Sequence, residues 1–213
     1  MIFLSLEETL KIKEDFKPAK YIMITGNKNL SSKNNIEIKA STSSNNVNGE
    51  EVKVIIISRT GAEGIDFKFI RQIHILDPWY NMSRNEQIIG RGVRFCSHKL
   101  LPFNERNVEI YLHSTKPYDD YEPIDLYIYR MAENKVKQIG DVSRILKENA
   151  VDCILNIKYN NLTYEKMNQT VKQNISSGIT IDYAIGDKPY TQVCDYMDKC
   201  EYKCRPFEET DNI

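Results

Sequence analysis

A nearly continuous β-branched run, Val52 to Ser58, constrains the fold of this chain more than any other segment. A nearly continuous apolar run of this length is the pattern of a strand covered on both faces. Such strands belong to parallel sheets flanked by helices, so an α/β layer architecture is expected. Ile70 to Leu76 repeats the pattern and ends at Asp77-Pro78. Val108, Ile110 and Leu112 alternate with Glu109, Tyr111 and His113, which predicts a third strand nearer an edge. Ahead of these, residues 6–15 read as a short amphipathic helix, and Tyr21 to Thr25 as a strand closed by Gly26. Residues 27–50 are crowded with Asn, Ser and Lys and read as a long polar loop, with at most one helical turn and a composition that favours disorder.

The run ends in Ser58-Arg59-Thr60-Gly61-Ala62-Glu63-Gly64-Ile65-Asp66. Ligands of open α/β sheets sit at the carboxyl ends of the strands, where such loops emerge. Gly61 and Gly64 permit a backbone approach that a side chain would block. The N–H groups of this turn, with the hydroxyls of Ser58 and Thr60, suit a phosphate oxygen of a nucleic-acid strand. Asp66 suits a ribose hydroxyl. An ordinary strand-to-helix connection would use the same residues.

The second informative segment is Gln87-Ile88-Ile89-Gly90-Arg91-Gly92-Val93-Arg94. Ser83 and Glu86 have capping-box spacing, which predicts a helix starting near Arg84. Helical geometry places Gln87, Arg91 and Arg94 within about 60° of one another. Ile88, Ile89, Val93, Phe95 and Cys96 then cover the opposite face and anchor the helix to the sheet. Guanidinium groups stay charged and offer forked donors to phosphate oxygens. Gly90 and Gly92 each cost roughly 1 kcal/mol in a helix interior, which suggests close approach by a partner or ligand. The competing reading is a solvated basic face.

The character changes after Pro117. Pro123 is expected to open a helix with the stripe Ile128, Ala132, Val136 and Ile139. Gly140-Asp141 is expected to end it and begin another through Ile145, Leu146 and Ala150. Residues 156–178 are Asn-rich and carry no clear assignment. The expected domains are residues 1–118 and a mainly helical extension, residues 119–213, with a cysteine-rich tail. Cys194, Cys200 and Cys204, together with Cys153 upstream, offer four thiolates for a structural zinc site, although free thiols in the tail fit the same spacing.

With 30 acidic and 29 basic residues the chain carries a formal charge of −1, so nucleic-acid contact must come from a local patch. No apolar run approaches the roughly 18 residues of a membrane span, so no membrane partner is expected. The first residues are too short and too acidic a stretch for a secretory signal. An odd count of five cysteines argues for a reducing compartment and against a disulfide framework.

These segments resemble the C-terminal RecA-like lobe of superfamily 2 helicases. Ser58 to Asp66 is similar to the fifth motif of that family, and Gln87 to Arg94 fits the Q-x-x-G-R-x-x-R form of its sixth. The nearest likeness is to the helicase-like transcription factors and ATPases of large nucleocytoplasmic DNA viruses (poxvirus, asfarvirus and mimivirus type). It rests on Ala62-Glu63-Gly64-Ile65-Asp66, on Arg71 to Leu76, and on Arg94-Phe95-Cys96-Ser97-His98. The resemblance implies a RecA-like parallel sheet with flanking helices and a DNA or RNA strand as partner. It implies ATP with Mg2+ held mainly by an N-terminal RecA-like lobe with Walker A and B motifs. Arg91 and Arg94 would reach the ATP phosphates, Arg94 as arginine finger, with Gln87 sensing the γ-phosphate. Gly64 and Asp66 would meet the nucleotide ribose, and Ser58, Thr60 and Gly61 the strand. A viral RNA polymerase partner and an intracellular site (host cytoplasm, viral factory or virion) are implied in the same way.

Two departures stand out. Relatives place a Trp-Asn pair where this chain has Tyr80-Asn81, with Trp79 one residue earlier. More seriously, no G-x-x-x-x-G-K-[ST] loop occurs in the 213 residues, and no D-E-x-H-type motif precedes the arginines. The expectation is the C-terminal part of a split or truncated motor, inactive in ATP hydrolysis alone. The alternative is a catalytically idle module that binds nucleic acid or a polymerase.

Overall fold

The computed structural model describes residues 18–25, 27, 29, 34–58, 65–115, 121–160, 163–186 and 188–205. The chain divides into two compact units, Met1–Phe69 and Ile70–Ile213. The predicted helix over residues 6–15 lies outside the described residues.

In the first unit, β1 (Tyr21–Ile24) and β2 (Val54–Ile57) pair in parallel, with Tyr21 opposite Val54 and Ile24 opposite Ile57. Ile22 and Ile24 are buried, as are Val52, Phe67 and Phe69. The expectation that β2 is covered on both faces fails: Val54 and Ile56 are 46% and 47% exposed. Among the described residues this unit offers one α-helix, the eight-residue α1 (Asn34–Ser41), too little to cover two faces.

Within the polar segment, residues 34–50 are more ordered than their composition suggests. After α1 comes a 3-10 turn, Ser44–Asn46, capped by the Ser43 hydroxyl. Buried Asn46 organises the rest. Its amide donates to the Ser41 and Val52 carbonyls at 3.2 and 3.1 Å, and its oxygen accepts from the N–H groups of Glu51 and Val52. One fully bonded amide thus substitutes for the apolar anchors the segment lacks.

In the second unit, β3 (Gln72–Ile75) and β4 (Glu109–Leu112) form another parallel pair, Gln72 opposite Glu109. Between them runs α2 (Met82–Gly92). The long helix α3 (Ile124–Asn149) follows, then three short helices: α4 (Val151–Leu155), α5 (Ile157–Asn160) and α6 (Tyr164–Met167). Pro123 opens α3 as expected, but Gly140 does not end it. The buried stripe is Tyr129, Ala132, Val136, Gly140 and Arg144, while Ile139 is 61% exposed. A Cβ on Gly140 would stand 1.9 Å from the Asp195 carbonyl oxygen, so the glycine serves close packing of the tail rather than termination.

The Asn-rich region ends in an antiparallel hairpin that the sequence pattern did not reveal, β5 (Thr170–Asn174) with β6 (Thr180–Ala184). Its turn is closed by Ile175 and Ile179, with Gly178 at φ +83°. Arg71 ties the hairpin to β3, donating to the Asn174 carbonyl at 2.6 Å and to Asn107 at 3.3 Å. Asn107 donates in turn to Gln173, which is buried.

Candidate functional site

The arginine segment departs from a plain helical face in one informative way. α2 starts at Met82 with Asn81 in the N-cap position and no side-chain cap, so the Ser83–Glu86 capping box does not form. Glu86 instead accepts a hydrogen bond from the Tyr196 hydroxyl. Burial pushes the Glu86 carboxyl above its ordinary range. Gln87 is exposed and Arg91 half-buried, one helical turn apart on a shared face as expected.

Arg94 lies beyond the helix. Val93 caps it, with φ −105° and ψ 75°, and its N–H reaches the Ile89 carbonyl at 2.9 Å. Gly92 marks the reason: a Cβ there would meet Ile73 at 2.9 Å and Ile70 at 3.2 Å. The helix therefore stops where its backbone rests on the strand, and Arg94 is exposed on the following turn. The close approach expected of the two glycines comes from within the chain at Gly92, whereas a Cβ placed on Gly90 would enter open space. The proposed apolar back of the helix also fails beyond Ile89. Val93 is 52% exposed, Phe95 is 99% exposed, and Cys96 is an exposed free thiol.

Just upstream, the Arg84 guanidinium lies 4.2 Å over the Trp79 ring, which pins the segment entering α2. Of the glycine turn, Thr60, Gly61 and Gly64 lie outside the described residues. Ser58 extends the β1–β2 ladder, its N–H donating to Ile24 at 3.0 Å, at the carboxyl end of β2 as anticipated. Asp66 is exposed. Both belong to the first unit, and Gln87, Arg91 and Arg94 to the second.

The zinc reading is corrected by the cysteine pairing. Cys153 joins Cys204, and Cys194 joins Cys200, as disulfides. All four sulfurs are committed to one another, and a disulfide sulfur is no thiolate ligand. No group of three or more His, Cys, Asp or Glu among the described residues could hold a metal ion. The donor set fits neither zinc nor a magnesium cage. His98, elsewhere in this unit, has its two ring nitrogens bonded to Ser97 and Ile70. The pairing likewise overturns the argument against a disulfide framework, because an odd count left one cysteine over rather than excluding pairs.

The tail these bridges hold is built around a buried charge cluster. Arg144 donates to Asp195 at 2.8 Å and to the carbonyls of Cys194, Lys199 and Glu201. Lys147 is the second cation on Asp195. A cleft of about 440 Å³ opens between the start of α2, α3 and this tail, with Ser83, Glu86, Lys135, Lys147 and Tyr196 on its walls. Sequence reasoning missed it, because two of its walls, the start of α2 and the tail, are more than a hundred residues apart in the chain. Among the described residues no helix is long and apolar enough to cross a membrane.

Residues 1–96 match the family model of the helicase conserved C-terminal domain. Over that stretch the chain is similar to a helicase C-terminal domain. A protein of Acanthamoeba polyphaga mimivirus named as a candidate ATP-dependent RNA helicase is 36% identical over 203 residues, covering 90% of this chain and 16% of that protein. A candidate helicase of Invertebrate iridescent virus 3 is 36% identical over 166 residues, 76% of this chain and 17% of that one. The termination factor NPH-I homologue of African swine fever virus is 38% identical over 97 residues, 46% of this chain and 14% of that one. The chain thus spans less than a fifth of the length of these helicase relatives. The C-terminal part of the Fun30 ATPase domain shares 19% identity at a TM-score of 0.39, over 60% of this chain and 34% of that one.

Proposed function

We propose that the chain is the C-terminal motor lobe of an ATP-dependent nucleic-acid helicase or translocase, residues 1–118 forming the lobe and residues 119–213 its extension. The observation that carries this reading is the polar edge of α2, with exposed Gln87 and half-buried Arg91 one turn apart and exposed Arg94 on the turn beyond. Arg94 acts as the arginine finger, neutralising charge on the transferred phosphoryl group, and Arg91 and Gln87 contact the same phosphates. Gly64 and Asp66 meet the ribose, and Ser58, Thr60 and Gly61 the strand backbone. MgATP sits mainly on an N-terminal RecA-like lobe with Walker A and B motifs, since these 213 residues contain no lysine-bearing phosphate loop. Hydrolysis then needs both lobes, and the isolated chain is inactive. ATP closes the lobes on each other, and reopening shifts the grip on the strand.

The name of the African swine fever virus relative, a termination factor, supports a place in viral transcription with an RNA polymerase as partner. An intracellular site of action follows from such a role. The test is nucleic-acid-stimulated ATP hydrolysis by this chain joined to a lobe carrying Walker A and B motifs, wild type beside Arg94→Ala. Stimulated turnover that falls by two or more orders of magnitude in the variant, with strand binding kept, is the expected result. Unchanged turnover in Arg94→Ala would remove the finger assignment.

A further inference from the structure

Beyond the helix end, the backbone of Arg94 is held by a short relay of hydrogen bonds. The Ile70 carbonyl, at the entry to β3, lies 2.7 Å from Nε2 of His98. A carbonyl oxygen can only accept, so Nε2 carries the hydrogen and donates it. In the neutral ring Nδ1 is then an acceptor, and it stands 2.8 Å from the Ser97 hydroxyl. Ser97 therefore donates its one hydrogen to His98, with the Gly92 carbonyl a longer second acceptor at 3.4 Å. The lone pairs of Ser97 Oγ accept the Arg94 N–H at 3.3 Å, and the Ser97 N–H returns to the Arg94 carbonyl at 3.0 Å.

The Gly92 carbonyl is one that the helix end leaves without an intrahelical partner. Ser97 is 5% exposed, so water does not readily replace its hydroxyl in this relay. Ile70 is used twice, accepting from His98 and packing beneath Gly92. The turn bearing Arg94 is thereby registered to β3 from both sides.

We infer that Ser97 and His98 are positioning residues for Arg94, fixing the backbone from which its guanidinium reaches the phosphate. This rests on the reading of Arg94 given above. A guanidinium whose base shifts by about 1 Å can lose about a hundredfold in rate, so a backbone clip is worth having at this point of the chain.

The experiment has two arms. In the first, amide hydrogen exchange of this chain is followed by NMR. Ser97→Ala is expected to speed exchange at Arg94 about tenfold, with Ala132 and Val136 in α3 unchanged. Protection at Arg94 that survives Ser97→Ala would overturn the clip. In the second arm, Ser97→Ala and His98→Ala are placed in the two-lobe enzyme. Each is expected to lower kcat about tenfold with KM for ATP held within about twofold. His98→Gln keeps a donor for Ile70 and should recover part of the loss. In an Arg94→Ala background neither substitution should cost anything more, whereas equal losses in both backgrounds would mean a general structural role and overturn the positioning. If Arg94→Ala alone turns over normally, the finger reading and its positioning fail together, and the exchange arm still decides whether the clip exists.

Discussion

Gly140, in the middle of the longest helix, faces the carbonyl oxygen of Asp195 with no room for a methyl group between them. On an isolated helix, Gly140→Ala would gain about 1 kcal/mol of propensity. Here the added Cβ must displace tail backbone, which typically costs about 1–3 kcal/mol and more when the backbone cannot yield. A lower thermal midpoint is expected, with the loss centred on the tail. Gly90→Ala is the control, because open space surrounds that site. It should raise stability by about 0.5–1 kcal/mol in chemical denaturation. If both variants shift the same way, the packing argument is wrong.

The Arg144–Asp195 pair should dominate the stability of the tail. Its side chains are 7% and 5% exposed, and removing one partner leaves the other charge buried. Asp195→Ala is expected to cost about 3–5 kcal/mol by urea unfolding. Asp195→Asn, which keeps an acceptor for the guanidinium, should cost less. Equal losses from the two substitutions would show that the charge is not what matters.

Glu86 gives a pH-dependent test. Burial raises its folded carboxyl above the unfolded value, so its contribution is fully present at acid pH and is lost as pH rises through the raised value. Glu86→Gln keeps an acceptor for the Tyr196 hydroxyl and removes the charge. The variant should melt higher than wild type at neutral pH and level with it in mild acid. A gap that persists unchanged at both pH values would refute this.

Asp125 behaves in the opposite sense. Thr115 donates to its carboxylate from the hydroxyl at 2.5 Å and from the backbone at 2.9 Å, the hydroxyl bond holding it below the ordinary range most strongly. Its contribution is present above the ordinary carboxylate value and disappears as pH falls through the depressed one. Asp125→Ala should therefore lower the midpoint at neutral pH and match wild type in strong acid. Two parallel melting curves across that range would argue against it.

How far these features can be read from sequence depends on where their causes lie. The parallel strands, the start of α3 at Pro123, and the shared face of Gln87 and Arg91 follow from local pattern, and the structure keeps them. Arg94 leaves that face because α2 stops against Ile70 and Ile73, residues that periodicity within the helix cannot see. Gly140 looks like a stop signal until Asp195, 55 residues later, is found against it. Asn46 hides its role in the same way, since composition registers an amide but not its four hydrogen bonds. The cysteine spacing reads as a zinc site or as free thiols, and only three-dimensional pairing reveals the two bridges.

The Cys153–Cys204 bridge has a topological consequence. It closes a covalent ring between cysteines 51 positions apart in the chain, inside which lie the β5–β6 hairpin and the smaller Cys194–Cys200 loop. A protease that cuts the hairpin turn between Ile175 and Ile179 opens the ring without dividing the molecule. The nicked protein would migrate as one species on a gel until a thiol reductant is added, and only then release two fragments.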